Sequence, residues 1–327
     1  MFLGIEIGGT KLQLGVGDGT SAHFAAFERC DVVPEHGAEG ILRQIQSTAG
    51  RLAERFEIQR VGVGFGGPVD GASGRVITSH QIEGWTGVPL VSWISETLGL
   101  PSVLGNDCDC AALAEARFGA GRGHRTVFYV TVGTGVGGGL VINGQVHGTD
   151  RPSAAEIGHL RPGTHAADSH ATVESLASGW GIAATARACL TDAPPRLQDR
   201  LLPEGRPILD EAERDELLQR CGGDVRLLTT LMVGQSAWSG NAGARGILRT
   251  GTDTLGWAIA QVIALVAPDA VIVGGGVSLM GDDLFFNPLR QAVERYVFGP
   301  LSNRYVLVAP LLGEEVVVHG AVALASS

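Results

Sequence analysis

Three glycine-rich segments follow apolar stretches in this sequence: Gly8-Gly9-Thr10-Lys11, the run from Gly133 through Thr134, Gly135 and Val136 to Gly139, and Gly274-Gly275-Gly276. Without a Cβ in the way, the backbone N–H groups of such a turn can converge on an anion. An ordinary hairpin explains any one of them. Three in one chain favour phosphate binding. Lys11 is the chain's one lysine among 24 Lys and Arg residues. A compact ammonium suits a phosphate oxygen there, where a guanidinium fork fits less well. Asn106-Asp107 opens the Ala-rich run DCDCAALAEARFGAG, which reads as a helix capped by Asn106 and ended by Gly119. A carboxylate on that first turn feels the positive helix end, so Asp107 is expected to stay ionised. By position alone a helix cap is the plainer reading of Asp107. Glu156 and His159 lie three apart among Ala154, Ala155, Ile157 and Leu160, a spacing that puts both on one helical face.

Neither common nucleotide motif accounts for the glycines. Gly133, Gly135 and Gly138 satisfy G-x-G-x-x-G, but Leu140-Val141-Ile142 and an Asn143-Gly144 turn follow, where a dinucleotide site needs a helix. The pattern G-x-x-x-x-G-K-[ST] is absent around Lys11.

The elements that must position these residues are read from periodicity. FLGIEI and LQLGVG form strands around the first glycine turn, and residues 37–54 carry Ile41, Leu42, Ile45 and Leu52 at helical spacing. RVGVGFGGPVDGASGRVI reads as strand, turn, strand. A helix over Ser92–Leu98 and the strand SVLGN follow. TVFYVTV, the second glycine run and LVINGQV repeat the unit, with Asn143-Gly144 a hairpin signal. Helices are predicted over 173–190, Thr250–Ala267, Asn287–Tyr296 and from His319, with strands at DAVIVGGGV and RYVLVAPLL. Residues 190–226, charged and holding four prolines, read as surface cover. The strand–turn–strand unit near 1–17, 61–78 and 127–147, with helices downstream, is a coarse internal duplication of βββα type.

Bulk properties narrow the class. The chain has 327 residues, 49 of them glycine, about twice the usual share. No Gly-X-Y period and 44% hydrophobic residues exclude collagen and low complexity. A net charge of −10 argues against nucleic acid or an anionic membrane as partner. Five irregularly spaced cysteines read as reduced thiols in a cytoplasmic protein. The Cys108/Cys110 pair has no second pair to complete a zinc set. MFLGIEIGGT carries no basic n-region, and the apolar stretch Leu255–Ala267 is short for a bilayer, so neither a signal peptide nor a membrane span is expected.

Six segments, in order, resemble the ROK family (repressors, open reading frames and sugar kinases), and most its bacterial glucokinase-type members. EIGGTK is similar to that family's D-x-G-G-T-K, GVGFGGPVDGASGRV to G-x-G-x-P-G-x-V-D, and GNDCDCAALAE to N-D-A-N-A-A-A-x-x-E. GTGVGGGLVINGQVHG resembles G-T-G-x-G-G-G-x-x-x-x-G, AEIGHL resembles G-E-I-G-H, and PDAVIVGGGVS the late nucleotide motif. The resemblance implies an α/β chain with the two-lobed actin-like ATPase, or ribonuclease H-like, sugar-kinase fold of duplicated βββα units. The smaller lobe is expected over 1–105 plus 313–327, and the larger, nucleotide and dimerisation lobe over 106–312. The implied activity is transfer of the ATP γ-phosphate to the 6-hydroxyl of a hexose, with Asp107 as general base. Gly67, Asn106, Asp107, Glu156, His159 and Glu174 match the sugar-binding positions. Gly8, Gly9, Thr10, Lys11, Gly133, Thr134, Gly135 and Gly274 to Gly276 match the ATP side. ATP and Mg2+ are the expected cofactors, a hexose the substrate and a homodimer the assembly. Rival readings are a kinase for an N-acylhexosamine or fructose, a catalytically impaired sugar-binding or sensing protein, and a repressor, which the charge and the early first strand disfavour.

Three positions depart from the pattern. Glu6 replaces the first-motif Asp that the resemblance places in the magnesium shell, and its extra methylene would push a hydrated ion outward by about a C–C bond length. Gly66 replaces a Pro, which leaves that turn freer. The family's zinc element, a His followed by C-x-C-G-x-x-G-C, is missing: LRPGTHAADSHATV stands between His159 and Glu174. His165, Asp168 and His170 with His159 make a conceivable replacement. A zinc-free member is the expectation.

Overall fold

The computed structural model describes residues 1–79, 81–149, 151, 154–162, 170–191 and 209–327. They divide into two compact units: Met1–Tyr129, Gly138–Ala155 and Pro310–Ser327 in the first, Val130–Gly137 and Glu156–Ala309 in the second.

The first unit is built on the alternation seen in FLGIEI. Strand β1 (Phe2–Ile7) pairs antiparallel with β2 (Lys11–Gly17), which pairs with β3 (Phe24–Asp31). Helix α1 (Gly37–Arg55) leads to β4 (Arg60–Phe65), parallel to β1. A short hairpin, β5 (Val69–Asp70) and β6 (Arg75–Val76), and helix α2 (Leu90–Leu98) precede β7 (Ser102–Asn106), parallel to β4. Helix α3 (Asp107–Phe118) follows directly. The sheet order is β3-β2-β1-β4-β7.

Side chains alternate across a strand, and here the two faces differ sharply. Leu3, Ile5, Ile7, Val61, Val63 and Phe65 join one core with Ile41, Ile45 and Leu52 of α1. The other face carries Gly4 and Gly62, and the C-terminal helix Val316–Ala325 lies directly on it. A Cβ on Gly4 would stand 2.5 Å from the Val318 carbonyl oxygen, and one on Gly62 would overlap that of Ala321. The same helix meets α3 equally closely, since a Cβ on Gly320 would overlap the Cys110 carbonyl. That packing places α3 in the first unit, whereas the sequence division at 105/106 put it in the second.

The second sheet repeats the order. Strands β8 (Thr126–Val132), β9 (Val136–Ile142), β10 (Gln145–Val146), β11 (Ala270–Gly274) and β12 (Val306–Val308) run β10-β9-β8-β11-β12. The predicted Asn143-Gly144 hairpin is present, with positive φ at both residues. Helices α4 (Glu174–Ala177), α5 (Gly179–Leu190), α6 (Glu211–Arg220), α7 (Thr230–Trp238), α8 (Ala242–Val266) and α9 (Asn287–Tyr296) complete the described residues of the second unit. Helix α8 starts earlier than its periodicity suggested, because Asn241 caps it by accepting from Ala244 N–H at 2.9 Å. Strand β12 is shorter than RYVLVAPLL suggested, and the C-terminal helix begins at Val316 rather than His319. No helix of the described residues is long and apolar enough to cross a membrane.

The glycine face predicts opposite signs at two sites. Gly320→Ala should cost about 1–3 kcal/mol by forcing two backbones apart. Gly50→Ala, in α1 with open space where its Cβ would go, should stabilise by about 0.5–1 kcal/mol. Urea unfolding of both variants checks this, and equal effects would refute it.

Candidate active site

The first unit gathers Glu6, Lys11, Gly66, Gly67, Asn106 and Asp107. Glu6 lies on β1 opposite Gln13 of β2 and Gly64 of β4. Its Oε1 is 3.5 Å from Lys11 Nζ. Its Oε2 is buried without a hydrogen-bond partner. Burial pushes the Glu6 carboxyl up to about 7, Lys11 opposing the rise and Asp107 adding to it. Lys11 is not a free surface lysine, for its side chain is 23% exposed and Nζ donates to Gln13 Oε1 at 3.3 Å and to the Glu314 carbonyl at 3.2 Å. Gly8 N–H donates to the Lys11 carbonyl at 3.0 Å, closing the turn that exposes Thr10. The Gln81 side chain lies so close over Gly9 that a Cβ there would overlap its amide.

Asn106 caps α3 as predicted, its Oδ1 accepting from Cys108 N–H at 2.8 Å while Nδ2 donates to the Gly67 carbonyl at 2.9 Å. The cap thereby fixes the Gly66-Gly67 turn. Gly66 is not loose: its N–H donates to the Ile7 carbonyl at 2.9 Å, a bond that a proline could not make. Asp107 Oδ1 also accepts from Cys108 N–H at 2.8 Å. Burial nonetheless raises the Asp107 carboxyl above the ordinary carboxylate value, outweighing that N–H. Desolvation thus opposes the pull of the helix end on this carboxyl. A carboxylate of raised proton affinity is the better base.

The second unit gathers the other set around Val132 and Val136. Gly133 N–H donates to the Gly135 carbonyl at 2.9 Å, and Gly179 N–H to that of Gly133 at 2.8 Å. Thr134 lies in the same turn, its carbonyl accepting from Trp180 N–H. Val136 N–H donates to Glu174 Oε2 at 2.9 Å, so Glu174 is tied to this loop. Gly274 ends β11, and Gly275 takes φ +90° with Val132 directly beneath, where a Cβ would come within 2.6 Å of its backbone. Gly276 stands in open space. Glu156 and His159 do not share an α-helical face. They bracket a single 3₁₀ turn, Ile157–His159, with His159 N–H donating to the Glu156 carbonyl at 3.1 Å. Gly158 within it packs on the Val136 carbonyl. Ala155, just before, has φ +62°, a strained value for alanine.

Sequence reasoning missed Gln13, Gln81 and Glu314. Gln13 alone carried a signal, as a polar residue at an inward position of KLQLGVG. His165 and Asp168 lie outside the described residues. Among the described residues no group of three or more His, Cys, Asp or Glu gathers to hold a metal. An unpartnered buried oxygen on Glu6, beside a second carboxylate, is donor chemistry that fits a hard cation such as Mg2+.

The sequence profile of the ROK family matches residues 2–327. The chain belongs to the ROK family. It is 30% identical to a glucokinase of Streptomyces coelicolor over 338 residues, 99% of this chain and 96% of that one. A kanosamine kinase of Amycolatopsis mediterranei is 34% identical over 283 residues, 84% and 80% of the two chains. The crystal structure of a ROK family glucokinase from Streptomyces griseus, in complex with glucose and AMPPNP, superimposes with a TM-score of 0.76 at 30% identity, covering 99% of each chain. The chain is thus a ROK sugar kinase, a phosphotransferase with the actin-like ATPase fold.

Glu6 sets a pH dependence in this ROK protein. Its folded-state value of about 7 exceeds the ordinary 4.5. Its contribution to stability is therefore full below about pH 4.5 and lost as pH rises through about 7. Without divalent cations, melting of the parent relative to Glu6→Gln should fall between pH 5 and pH 8. Parallel curves would refute this.

Proposed function

We propose that this sugar kinase transfers the γ-phosphoryl group of ATP to the 6-hydroxyl of a hexose, glucose-like first, with Asp107 as general base. The observation that carries the reading is Asp107, a half-buried carboxylate of raised proton affinity at the start of α3, fixed beside the Glu6–Lys11 pair. Asp107 takes the proton of the attacking hydroxyl as its oxygen bonds the γ-phosphorus. The bond from that phosphorus to the bridging oxygen breaks, and ADP leaves. Positioning and charge neutralisation dominate such transfers. Gly67, Asn106, Glu156, His159 and Glu174 hold the sugar hydroxyls, where an unpaired buried polar group penalises a wrong sugar. Gly8, Gly9, Thr10, Lys11 and Gly133 to Gly135 take the phosphates, and Gly274 to Gly276 the adenosine. Bound through Glu6, magnesium would neutralise phosphate charge. The family resemblance supports a homodimer, and five unbridged cysteines accord with a cytoplasmic setting.

The likeness to a kanosamine kinase supports an amino or N-acylamino hexose as the second reading. A coupled assay over hexoses, aminohexoses and N-acylhexosamines separates the two. Asp107→Asn should lower kcat by about 10²–10⁴ while sugar binding stays. Tight sugar binding by the parent without turnover on any sugar would overturn the kinase reading.

A further inference from the structure

Glu115 is a fully buried carboxylate in the third turn of α3, 0% exposed. It is satisfied entirely by backbone. Oε1 accepts from Leu311 N–H and Leu312 N–H, both at 2.9 Å, and Oε2 from Ala120 N–H at 2.7 Å. Gly119 leaves it room, since a Cβ there would overlap Oε2. Burying a carboxyl this deeply carries a large desolvation penalty, which three well-aligned N–H donors offset. A helix–loop contact alone does not call for such a group, for an apolar side chain would serve as well.

The segment it grips explains the choice. The chain re-enters the first unit at Pro310, and Leu311-Leu312 runs straight into the Gly313–Glu315 turn. The carbonyl of Glu314 in that turn accepts from Lys11 Nζ at 3.2 Å, and its carboxylate pairs with Arg29 on β3 at 3.1 Å. Lys11 Nζ in turn stands 3.5 Å from Glu6. The helix that carries Asp107 at its first residue therefore holds, through Glu115, the strap that holds the ammonium.

We propose that Glu115 is a positioning residue that fixes the Leu311–Glu314 strap, and through the Glu314 carbonyl sets Lys11 Nζ for a nucleotide phosphate. It acts on Lys11 through two hydrogen-bonded steps, its own grip on Leu311 and Leu312 and the bond from Lys11 Nζ to the Glu314 carbonyl. This rests on Lys11 as the phosphate-side ammonium. Glu115→Gln keeps the size but removes the charge and one of the two acceptor oxygens, so the grip on Leu311 and Leu312 N–H weakens and Lys11 loses its anchor.

A double-mutant cycle of Glu115→Gln and Lys11→Met tests it, read by calorimetric titration with magnesium-loaded AMPPNP and separately with glucose. Glu115→Gln should weaken AMPPNP binding about tenfold, as for one charge-assisted hydrogen bond, with glucose affinity unchanged. In the Lys11→Met background the same change should have no further effect. Because the chain has one lysine, lysine labelled with 15N gives a single side-chain ammonium signal, which Glu115→Gln should shift. If the tenfold loss persists in the Lys11→Met background, or the signal does not move in the folded variant, the proposal fails alone. If Lys11→Met leaves AMPPNP binding unchanged, the reading of Lys11 fails and the proposal with it. Should Glu115→Gln not fold, Glu115→Asp, which keeps the charge and withdraws it by one methylene, must give the same non-additivity and a shift of the same sign.

Discussion

The C-terminal helix rests on β1 and β4 with only glycine between the backbones. Gly4 and Gly62 admit it to the sheet, and Gly320 admits α3 to it in turn. Such contacts leave little freedom to slide, because any displacement meets main chain rather than a side chain that can turn aside. Helix α3 begins at Asp107, so the place of the carboxylate follows from a stack of backbones. Its cap, Asn106, reaches from that same point to the Gly66-Gly67 turn. Sheet, helices and turn are thus tied at one residue pair.

The same closeness creates the electrostatic tension of the site. Glu6 shares the sheet face with the glycines and is 8% exposed. Burial and the nearby charge of Asp107 raise the Glu6 carboxyl while Lys11 draws it down. The two oxygens of Glu6 are satisfied unevenly. One oxygen faces Lys11 and the other is left without a partner. A cation beside that oxygen would relieve the conflict, which gives the unfavourable burial a functional sense.

What the sequence disclosed was whatever is decided locally. The first hairpin, the Asn106 cap, the end of α3 at Gly119 and the Asn143-Gly144 turn each depend on a few neighbouring residues, and each was legible. What it hid was decided by packing. Reading glycine as a turn residue overlooked Gly4, Gly62 and Gly320, whose purpose is visible only once the helix is laid on the sheet. The lobe boundary moved for the same reason. Asp107 was expected to be governed by the helix end, a local effect, yet burial opposes that pull. Glu156 and His159 kept their spacing but not their helix, since Gly158 between them must fit beneath Val136. The pairing of Lys11 with Glu314 spans most of the chain and has no sequence signal at all.

The repeated strand order explains why the glycine loops recur. In each sheet the turn between the first and second strands is glycine-rich, Gly8 to Lys11 in one and Gly133 to Val136 in the other. After the fourth strand of each comes another glycine pair or triplet, Gly66-Gly67 after β4 and Gly274 to Gly276 at the end of β11. Ligands of open α/β sheets gather beyond the carboxyl ends of the strands, so duplication alone doubles the supply of backbone amides there. The copies part at the fifth strand. Strand β7 runs into Asn106-Asp107 and a capped helix, whereas β12 runs into Ala309-Pro310 and the strap under Glu115. One copy ends in a candidate base, and the other ends in the segment whose carbonyl holds Lys11. The asymmetry gives each chain a single candidate base while both sheets keep their glycine turns.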